Sequence, residues 1–209
     1  EKLIRPNTRA VIANHASNIC SLTLPIEKIG KLCQERELLF IVDGAQSAGH
    51  TDIDMGKMGI DVLCAPAHKG LMGIQGCGFL ALRDGLPLPE PIIEGGSGVN
   101  SLEAQMPDQL PERLEAGTLP TPAIAALGEG IKFVRSVGTD EISRHSAQLF
   151  TLTLDRLSSL KGVKVYAPKH QGSTLLFSVN GIPSDTVSSH LDKNGICTRS
   201  GFHCCPLGH

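Results

Sequence analysis

The 209-residue sequence predicts an α/β fold, a layered β-sheet followed by a small α+β domain. Short apolar runs of strand length alternate with segments of helical spacing, and this alternation is typical of a sheet covered by helices. A proline-rich stretch over residues 86–122 then interrupts the pattern before helices resume. We therefore expect a large domain over residues 1–138, which includes this stretch as an irregular excursion, and a small domain over residues 139–209.

The first half of the sequence contains one candidate helix and four candidate strands. The segment 25–36 has helical spacing of apolar residues and starts with a proline, which suits a first helical turn. Each strand is a short apolar run, and these runs cover residues 8–15, 38–42, 61–65 and 78–82. Ligands of such sheets bind outside the carboxyl ends of the strands. Asp43 and Lys69 both follow a strand in this way.

The second half of the sequence mixes helices and strands. Helical spacing covers residues 123–137, 141–160 and 184–193. Strand-like runs cover residues 163–167, 174–179 and 196–199. The excursion before them carries seven prolines and the run Gly95-Gly96-Ser97-Gly98, and loops of that length are usually functional or disordered.

Composition and charge argue against several classes of protein. The hydrophobic fraction of 41% and the charged fraction of 19% are those of a globular protein. A net charge of -2 supplies no basic surface for nucleic acid or for an anionic membrane. The seven cysteines are odd in number and lie mostly in apolar or glycine-rich runs, which favours reduced thiols over a disulfide framework. We therefore expect a cytoplasmic protein that binds neither nucleic acid nor membrane.

Asp43 and Lys69 are the first candidate site residues. A carboxylate at the end of a strand can pair with a cationic ring nitrogen, although an Asp-Gly pair also makes an ordinary turn. Lys69 lies in Ala65-Pro66-Ala67-His68-Lys69-Gly70, in apolar and glycine-rich surroundings. Burial there would make its amine a Schiff-base nucleophile; the alternative is a solvated loop lysine. Read alone, His68 is a structural histidine.

Three short segments together resemble the class V aminotransferase-like family of pyridoxal-phosphate enzymes. They are His15-Ala16-Ser17-Asn18, Val42-Asp43-Gly44-Ala45-Gln46 and His68-Lys69, in that order. The resemblance implies the large domain of a fold-type I enzyme, with pyridoxal 5'-phosphate as cofactor. It implies that Lys69 forms the Schiff base, that Asp43 binds the pyridine nitrogen and that Gln46 lies against the ring hydroxyl. It also implies that His68 contacts the phosphate region and that Asn18 lies near the substrate.

Two further segments narrow the resemblance to cysteine desulfurases. The run Arg199-Ser200-Gly201-Phe202-His203-Cys204-Cys205-Pro206-Leu207 is similar to their catalytic-cysteine loop. This implies that Cys204 accepts the sulfur and that Arg199 serves the substrate, and a thiolate on a mobile loop can attack the sulfur of bound cysteine. Leu114-Glu115-Ala116-Gly117-Thr118 is similar to a family segment whose threonine reaches the phosphate held by a neighbouring subunit. The resemblance therefore implies a homodimer in which Thr118 acts across the subunit boundary.

The sequence departs from the family pattern in three places. Pro66 stands where a serine usually precedes the Schiff-base lysine by three residues, and Cys205 stands where alanine is usual. The glycine-containing phosphate loop and ring-stacking histidine of the family's amino-terminal part are not in this sequence, and neither is its carboxyl-terminal arginine. We therefore expect a fragment. Because Pro206 restricts Cys205 to extended backbone, we also expect Cys204 and Cys205 to point to opposite sides of an extended loop.

The predicted function is a cysteine desulfurase that converts L-cysteine to L-alanine and leaves a persulfide on Cys204, from which a sulfur-acceptor protein can take the sulfur. One alternative is a selenocysteine lyase or another class V aminotransferase-like enzyme. A second alternative is a metal-binding module built from His203, Cys204, Cys205 and His209, whose residue types suit zinc although adjacent cysteines are poor ligands for a structural site. A third is an inactive fragment. We predict no metal for the leading function.

Overall fold

A computed structural model describes residues 1–20, 22–99, 102–166 and 173–205. The first part contains β1 (Ala10–Asn14), α1 (Ile26–Glu35), β2 (Leu39–Asp43), α2 (Met55–Met58), β3 (Val62–Pro66) and β4 (Gly78–Leu82). The second part contains a short 3-10 helix (Glu112–Leu114), α3 (Thr121–Val137), α4 (Thr139–Ser158), β5 (Val163–Val165), β6 (Phe177–Val179) and α5 (Ser184–Lys193). The order of elements is that of an α/β protein, as predicted.

The first four strands form one mixed sheet in the order β1-β2-β3-β4. Strands β1, β2 and β3 are parallel, and β4 runs antiparallel to β3. The register pairs Asn14 with Asp43 and Asp43 with Cys64. All three parallel strands therefore end at the same edge of the sheet, where the loops that follow them meet.

A buried hydrophobic cluster lies between this sheet and α1. Phe40 and Val42 on β2 are fully buried, and Ile26 and Cys33 of α1 pack in the same cluster. Burial of a side chain of this size stabilises the fold by about 2 kcal/mol, which favours large apolar residues at these two positions of β2. Gly30 lets α1 approach the end of α2 closely, since a Cβ at this position would collide with the main-chain carbonyl of Met58.

Helix α2 was not predicted from the sequence because four residues are too few to show helical periodicity. It is defined by its caps instead. The Asp54 side chain accepts a hydrogen bond from the Lys57 amide at 3.0 Å, and Gly59 ends the helix in the left-handed conformation with φ of 63°. In the sequence, only Asp54 and Gly59, a typical pair of capping residues, could have indicated this helix.

The second half confirms the three predicted helices and corrects two strands. Only the second half of the run 174–179 forms β6, which pairs antiparallel with β5. The expected strand over 196–199 is wrong: this segment forms no strand in the structure. Thr198 instead hydrogen bonds to Ser188 of α5, through both its hydroxyl and its carbonyl. A strand needs a neighbouring ladder, and within the described residues the segment runs beside a helix.

The excursion over 86–122 is organised around Arg113, whose side chain is only 12% exposed. Its guanidinium donates to the carboxylates of Glu90 and Asp108 at 3.1 and 3.0 Å and to the carbonyl of Pro89 at 3.3 Å. These three bonds tie the beginning of the excursion to the 3-10 helix that precedes Thr118. The expected domain boundary at residues 138 and 139 falls between α3 and α4 and stays a prediction.

No helix within the described ranges combines the length and the apolar character that crossing a bilayer requires.

Candidate active site

The predicted site residues of the large domain lie at one edge of the sheet, at the carboxyl ends of the parallel strands. Asn18 lies in the loop after β1, Asp43 is the last residue of β2, and Gln46 follows in the next turn. His68 and Lys69 lie in the turn after β3. The structure therefore brings together at one edge what the sequence had placed at separate strand ends.

Asp43 is exposed, and its carboxylate accepts a hydrogen bond from the main-chain amide of Ala45 at 2.8 Å. This local bond is the turn chemistry of an Asp-Gly pair, so the structural role considered for Asp43 is present. It occupies one carboxylate oxygen, and a carboxylate has four acceptor positions on two oxygens. Asp43 can therefore shape its turn and still accept from a ring N–H.

Lys69 and His68 are both exposed in the turn after β3. Of the two alternatives weighed for Lys69, a buried amine and a solvated loop lysine, the structure shows the second, since the described residues of the chain do not cover its side chain. The turn itself is well defined. The Met72 amide donates to the Lys69 carbonyl at 3.0 Å, and Met72 adopts a left-handed φ of 58°. The Ala67 amide donates to the Cys77 carbonyl at 3.0 Å, which joins the start of the turn to the approach to β4.

The turn that carries Lys69 packs directly against the turn that carries Gln46. Gly49 and Gly70 are in such close contact that a Cβ on either would collide with the other turn's main chain. A Cβ at Gly70 would also lie 2.6 Å from the His50 ring. Gly70 directly follows Lys69, so its lack of a side chain allows the lysine turn to approach the turn after β2 closely.

Gln46 is half-buried in the turn after β2, next to the buried Ser47. The amides of Ser47 and Ala48 both donate to the Gly44 carbonyl, at 3.0 and 2.8 Å. The Gly44 amide donates in turn to the carbonyl of Cys64 at 2.8 Å, so the Gln46 turn is anchored to β3. Gln46 is thus held at the same edge as Asp43.

Asn18 links this edge to the distant cysteine segment. Its side-chain Nδ2 donates a hydrogen bond to the main-chain carbonyl of His203 at 2.6 Å, across 185 residues of sequence. Cys204, the residue that follows, is exposed. Sequence reasoning had assigned Asn18 and Cys204 to one site, and the structure brings their segments into contact.

Residues 202–205, which we name the cysteine turn, form a tight reverse turn. The Cys205 amide donates to the Phe202 carbonyl at 2.9 Å, and His203 and Cys204 have φ of 51° and 59°. This corrects the expectation of an extended loop at Cys204. Left-handed backbone costs a non-glycine residue about 1–2 kcal/mol, so two in succession need support from their surroundings. Cys205 is half-buried, and both thiols are free.

Arg199 and Thr118 stand apart from this arrangement. Arg199 is exposed in the irregular segment before the cysteine turn. Thr118 is exposed in the excursion, where the neighbouring Gly117 amide donates to the Gly95 carbonyl at 2.9 Å. Among the described residues, no hydrogen bond connects either side chain to the sheet edge that carries Asp43 and Lys69. Their site roles remain predictions.

Two residues at this edge were given no role in the sequence analysis. His15 follows β1 and is 7% exposed, and its Nδ1 has no hydrogen-bond partner in the described structure. Burial lowers the pKa of His15. Cys64 is paired with Asp43, and burial together with the Asp43 charge raises the pKa of its thiol. The signal for His15 was its place directly after a strand, whereas Cys64 lies within β3 and only the strand register pairs it with Asp43.

A metal site gains no support from the described part of the chain, which contains no group of three or more His, Cys, Asp or Glu side chains placed to hold an ion. His209, which the metal alternative also used, lies outside the described residues.

The family model for class-V aminotransferases matches residues 1–209 of the chain. Curated relatives include a protein of Halalkalibacterium halodurans named "Probable cysteine desulfurase", 33% identical over 98% of this chain and 51% of that protein. A protein of Pyrococcus abyssi with the same name is 34% identical over 98% of this chain and 52% of that protein. The chain thus spans about half the length of the curated relatives it matches.

Solved structures agree with these relatives. A cysteine desulfurase from Thermococcus onnurineus, in its apo form, is 30% identical and superposes with a TM-score of 0.84, over 95% of this chain and 51% of that one. A cysteine desulfurase from Escherichia coli reaches a TM-score of 0.86 over 97% of this chain and 51% of that one. Its identity of 24% supports a shared fold alone.

Proposed function

The chain belongs to the class-V aminotransferase family, and on that basis we propose that the whole protein is a pyridoxal-phosphate-dependent cysteine desulfurase. Its reaction would convert L-cysteine to L-alanine and leave the sulfur as a persulfide on Cys204. The observation that carries this proposal is the hydrogen bond between Asn18 and the main chain of His203. It supports a single site to which both the cysteine segment and the strand ends with Asp43 and Lys69 contribute.

Enzymes of this family depend in general on pyridoxal phosphate, and the residues at the sheet edge fit that group chemically. Asp43 offers a carboxylate at a strand end, which is the partner that a protonated ring nitrogen needs. Lys69 offers a primary amine from the next strand, and Gln46 offers an amide from the adjoining turn. Bound pyridoxal phosphate supplies an electron sink for the electron pair left at the substrate Cα.

We assign to Lys69 the attachment of the cofactor and, after substrate binding, the removal of the Cα proton of cysteine. Both tasks need a free amine that can move between two positions, and a lysine in an exposed turn has the reach for this. His68 would support the phosphate region, and Thr118 would reach the phosphate bound by a partner subunit. Asn18 and Arg199 would face the substrate.

The sulfur transfer is assigned to Cys204 acting as a thiolate. A bond forms between Cys204 Sγ and the sulfur of bound L-cysteine, and the substrate's bond between Cβ and sulfur breaks. The electron pair of that bond stays on the substrate Cβ, which takes up a proton and becomes a methyl group, and Lys69 would return a proton to Cα to complete L-alanine. The persulfide on Cys204 keeps the transferred sulfur, so the step needs no external oxidant or reductant.

The test is product analysis with the purified whole protein supplied with pyridoxal phosphate and L-cysteine. We expect one alanine for each sulfur released to a thiol reductant, and a persulfide mass on the peptide that contains Cys204. A keto acid in place of alanine would identify a transaminase. Turnover of L-selenocysteine with no turnover of L-cysteine would identify a selenocysteine lyase, and either result would contradict the proposal.

The assembly and compartment follow as parts of the same proposal. A role for Thr118 across a subunit boundary requires a homodimer, which light scattering of the whole protein tests directly; a fully active monomer would contradict it. All seven cysteines are free, which supports the reducing cytoplasm as the compartment. A sulfur-acceptor protein that takes the persulfide sulfur is the proposed partner.

A further inference from the structure

We propose that Asn18 is a positioning residue for Cys204, whose side-chain amide holds the cysteine turn at the carboxyl edge of the sheet. The inference deepens the desulfurase function proposed above and rests on it for its catalytic consequence. The structural part, which is that Asn18 orders the turn, stands on the geometry of this chain.

The contact is short and specific. Asn18 Nδ2 lies 2.6 Å from the carbonyl oxygen of His203, and that carbonyl belongs to the peptide bond that joins His203 to Cys204. Standard peptide dimensions therefore place the Cα of Cys204 within about 5.5 Å of Asn18 Nδ2. A change in the Asn18 amide thus acts one peptide unit away from the proposed sulfur acceptor.

The cysteine turn requires such a contact because of its backbone. His203 and Cys204 are consecutive non-glycine residues with left-handed φ, a conformation that persists only when surrounding structure holds it. The bond from the Cys205 amide to the Phe202 carbonyl closes the turn internally. That internal bond does not connect the turn to the sheet edge, whereas the bond from Asn18 does.

Asn18 itself comes from an ordered segment. The Ser17 hydroxyl accepts hydrogen bonds from the amides of Ile19 and Cys20 at 3.2 and 3.4 Å, and the Ser17 amide donates to Leu22 at 2.8 Å. The Asn18 side chain therefore extends from a fixed point. An amide group has two N–H donors and one acceptor oxygen, so the bond to His203 leaves a donor and the oxygen for the substrate.

Hydrogen exchange of the cofactor-free whole protein tests the structural part without any catalysis. Asn18→Ala removes the donor, and Asn18→Asp keeps the shape while replacing the donating amide by an acceptor. We expect the amides of residues 203–205 to exchange about fivefold faster in both variants, because one net hydrogen bond of the turn is lost. Asn194→Ala is the matched control: it removes another exposed amide-to-carbonyl bond, from Asn194 to His190 at 2.8 Å, on α5.

Steady-state kinetics of the whole protein with bound pyridoxal phosphate then distinguishes a role of Asn18 in positioning the cysteine turn from a role in binding the substrate. A positioning role predicts a fall in kcat of about tenfold in both variants, with a smaller change in KM for cysteine. Raised KM with unchanged exchange would mean that Asn18 serves the substrate alone, and unchanged exchange in both variants would overturn the proposal. If the wild type has no desulfurase activity, the proposed function fails, while the exchange result still decides whether Asn18 holds the turn.

Discussion

Asp43, the last residue of β2, is paired in register with Cys64, the middle residue of the parallel strand β3. Burial and the Asp43 charge together raise the pKa of the Cys64 thiol, with burial the larger cause. A thiol with a raised pKa is a poor nucleophile at neutral pH. The arrangement therefore disfavours a thiolate at Cys64, which lies beside the proposed cofactor carboxylate.

The effect of the Asp43 charge can be measured as a change in the pKa of the Cys64 thiol. In Asp43→Asn the carboxylate charge is lost, so we expect the apparent pKa of Cys64 to fall while staying raised by burial. Alkylation of Cys64 by iodoacetamide in cofactor-free protein, followed by peptide mass over a range of pH, measures this. An unchanged alkylation profile would show that the two groups do not interact.

Asp43→Asn also tests the proposed bond to the ring nitrogen. We expect turnover of L-cysteine to fall by more than about tenfold, which corresponds to about 1.4 kcal/mol of transition-state stabilisation. Asp43 is exposed and the amide preserves its shape, so the circular dichroism spectrum should not change. Asp84→Asn is the control, since Asp84 is also exposed, stands in an Asp-Gly turn after a strand and has no proposed role. Equal activity in both variants would leave Asp43 as a turn residue only.

Lys69 is predicted to carry the cofactor. Borohydride reduction of the loaded whole protein, followed by digestion and mass analysis, should place the pyridoxyl group on the peptide that contains Lys69. Lys69→Arg should remove the label and abolish turnover, because a guanidinium keeps the charge but cannot form the Schiff base. Lys57→Arg, at an exposed position on α2, should change neither. A label on a different lysine contradicts the assignment.

Cys204 and Cys205 are predicted to differ in function. Cys204→Ser should bind cofactor and substrate but release no sulfur, because only the transfer step needs the thiol. Cys205→Ser should keep most of the activity, since Cys205 is half-buried while Cys204 is exposed. Persulfide labelling with peptide mass locates the sulfur. Half activity in each variant would mean that the two thiols share the transfer.

The buried His15 and the half-buried His50 predict a loss of stability in acid. Burial lowers the pKa of His15 and of His50 below the ordinary value of 6.5, so the unfolded chain binds more protons than the folded one at mildly acidic pH. The free energy of unfolding should therefore be highest above pH 6.5 and should fall as the pH drops through the lowered values. His15→Gln should weaken this dependence in melting temperatures measured from pH 8 to about pH 5. The exposed His145→Gln should leave it unchanged.

Local sequence patterns were sufficient to predict most of the helices and strands. Residues 78–82 and 184–193 were predicted with the bounds that the structure gives to β4 and α5. In both cases the apolar pattern is bounded by turn residues, and those are short-range signals. The pattern failed at 196–199, because an apolar run becomes a strand only where another strand offers it a ladder.

The features of the candidate site also divide into those that local sequence predicts and those that depend on the tertiary structure. The sequence by itself determined the residue types and their places at strand ends, since Asp43 and Lys69 follow apolar runs that any packing of this sheet would bury. The tertiary structure decided that Lys69 is exposed, that Cys204 lies in a left-handed turn, and that Asn18 reaches His203 across 185 residues. Contacts over such a separation depend on the tertiary packing of the whole chain, and a sequence pattern that repeats every few residues carries no information about that packing.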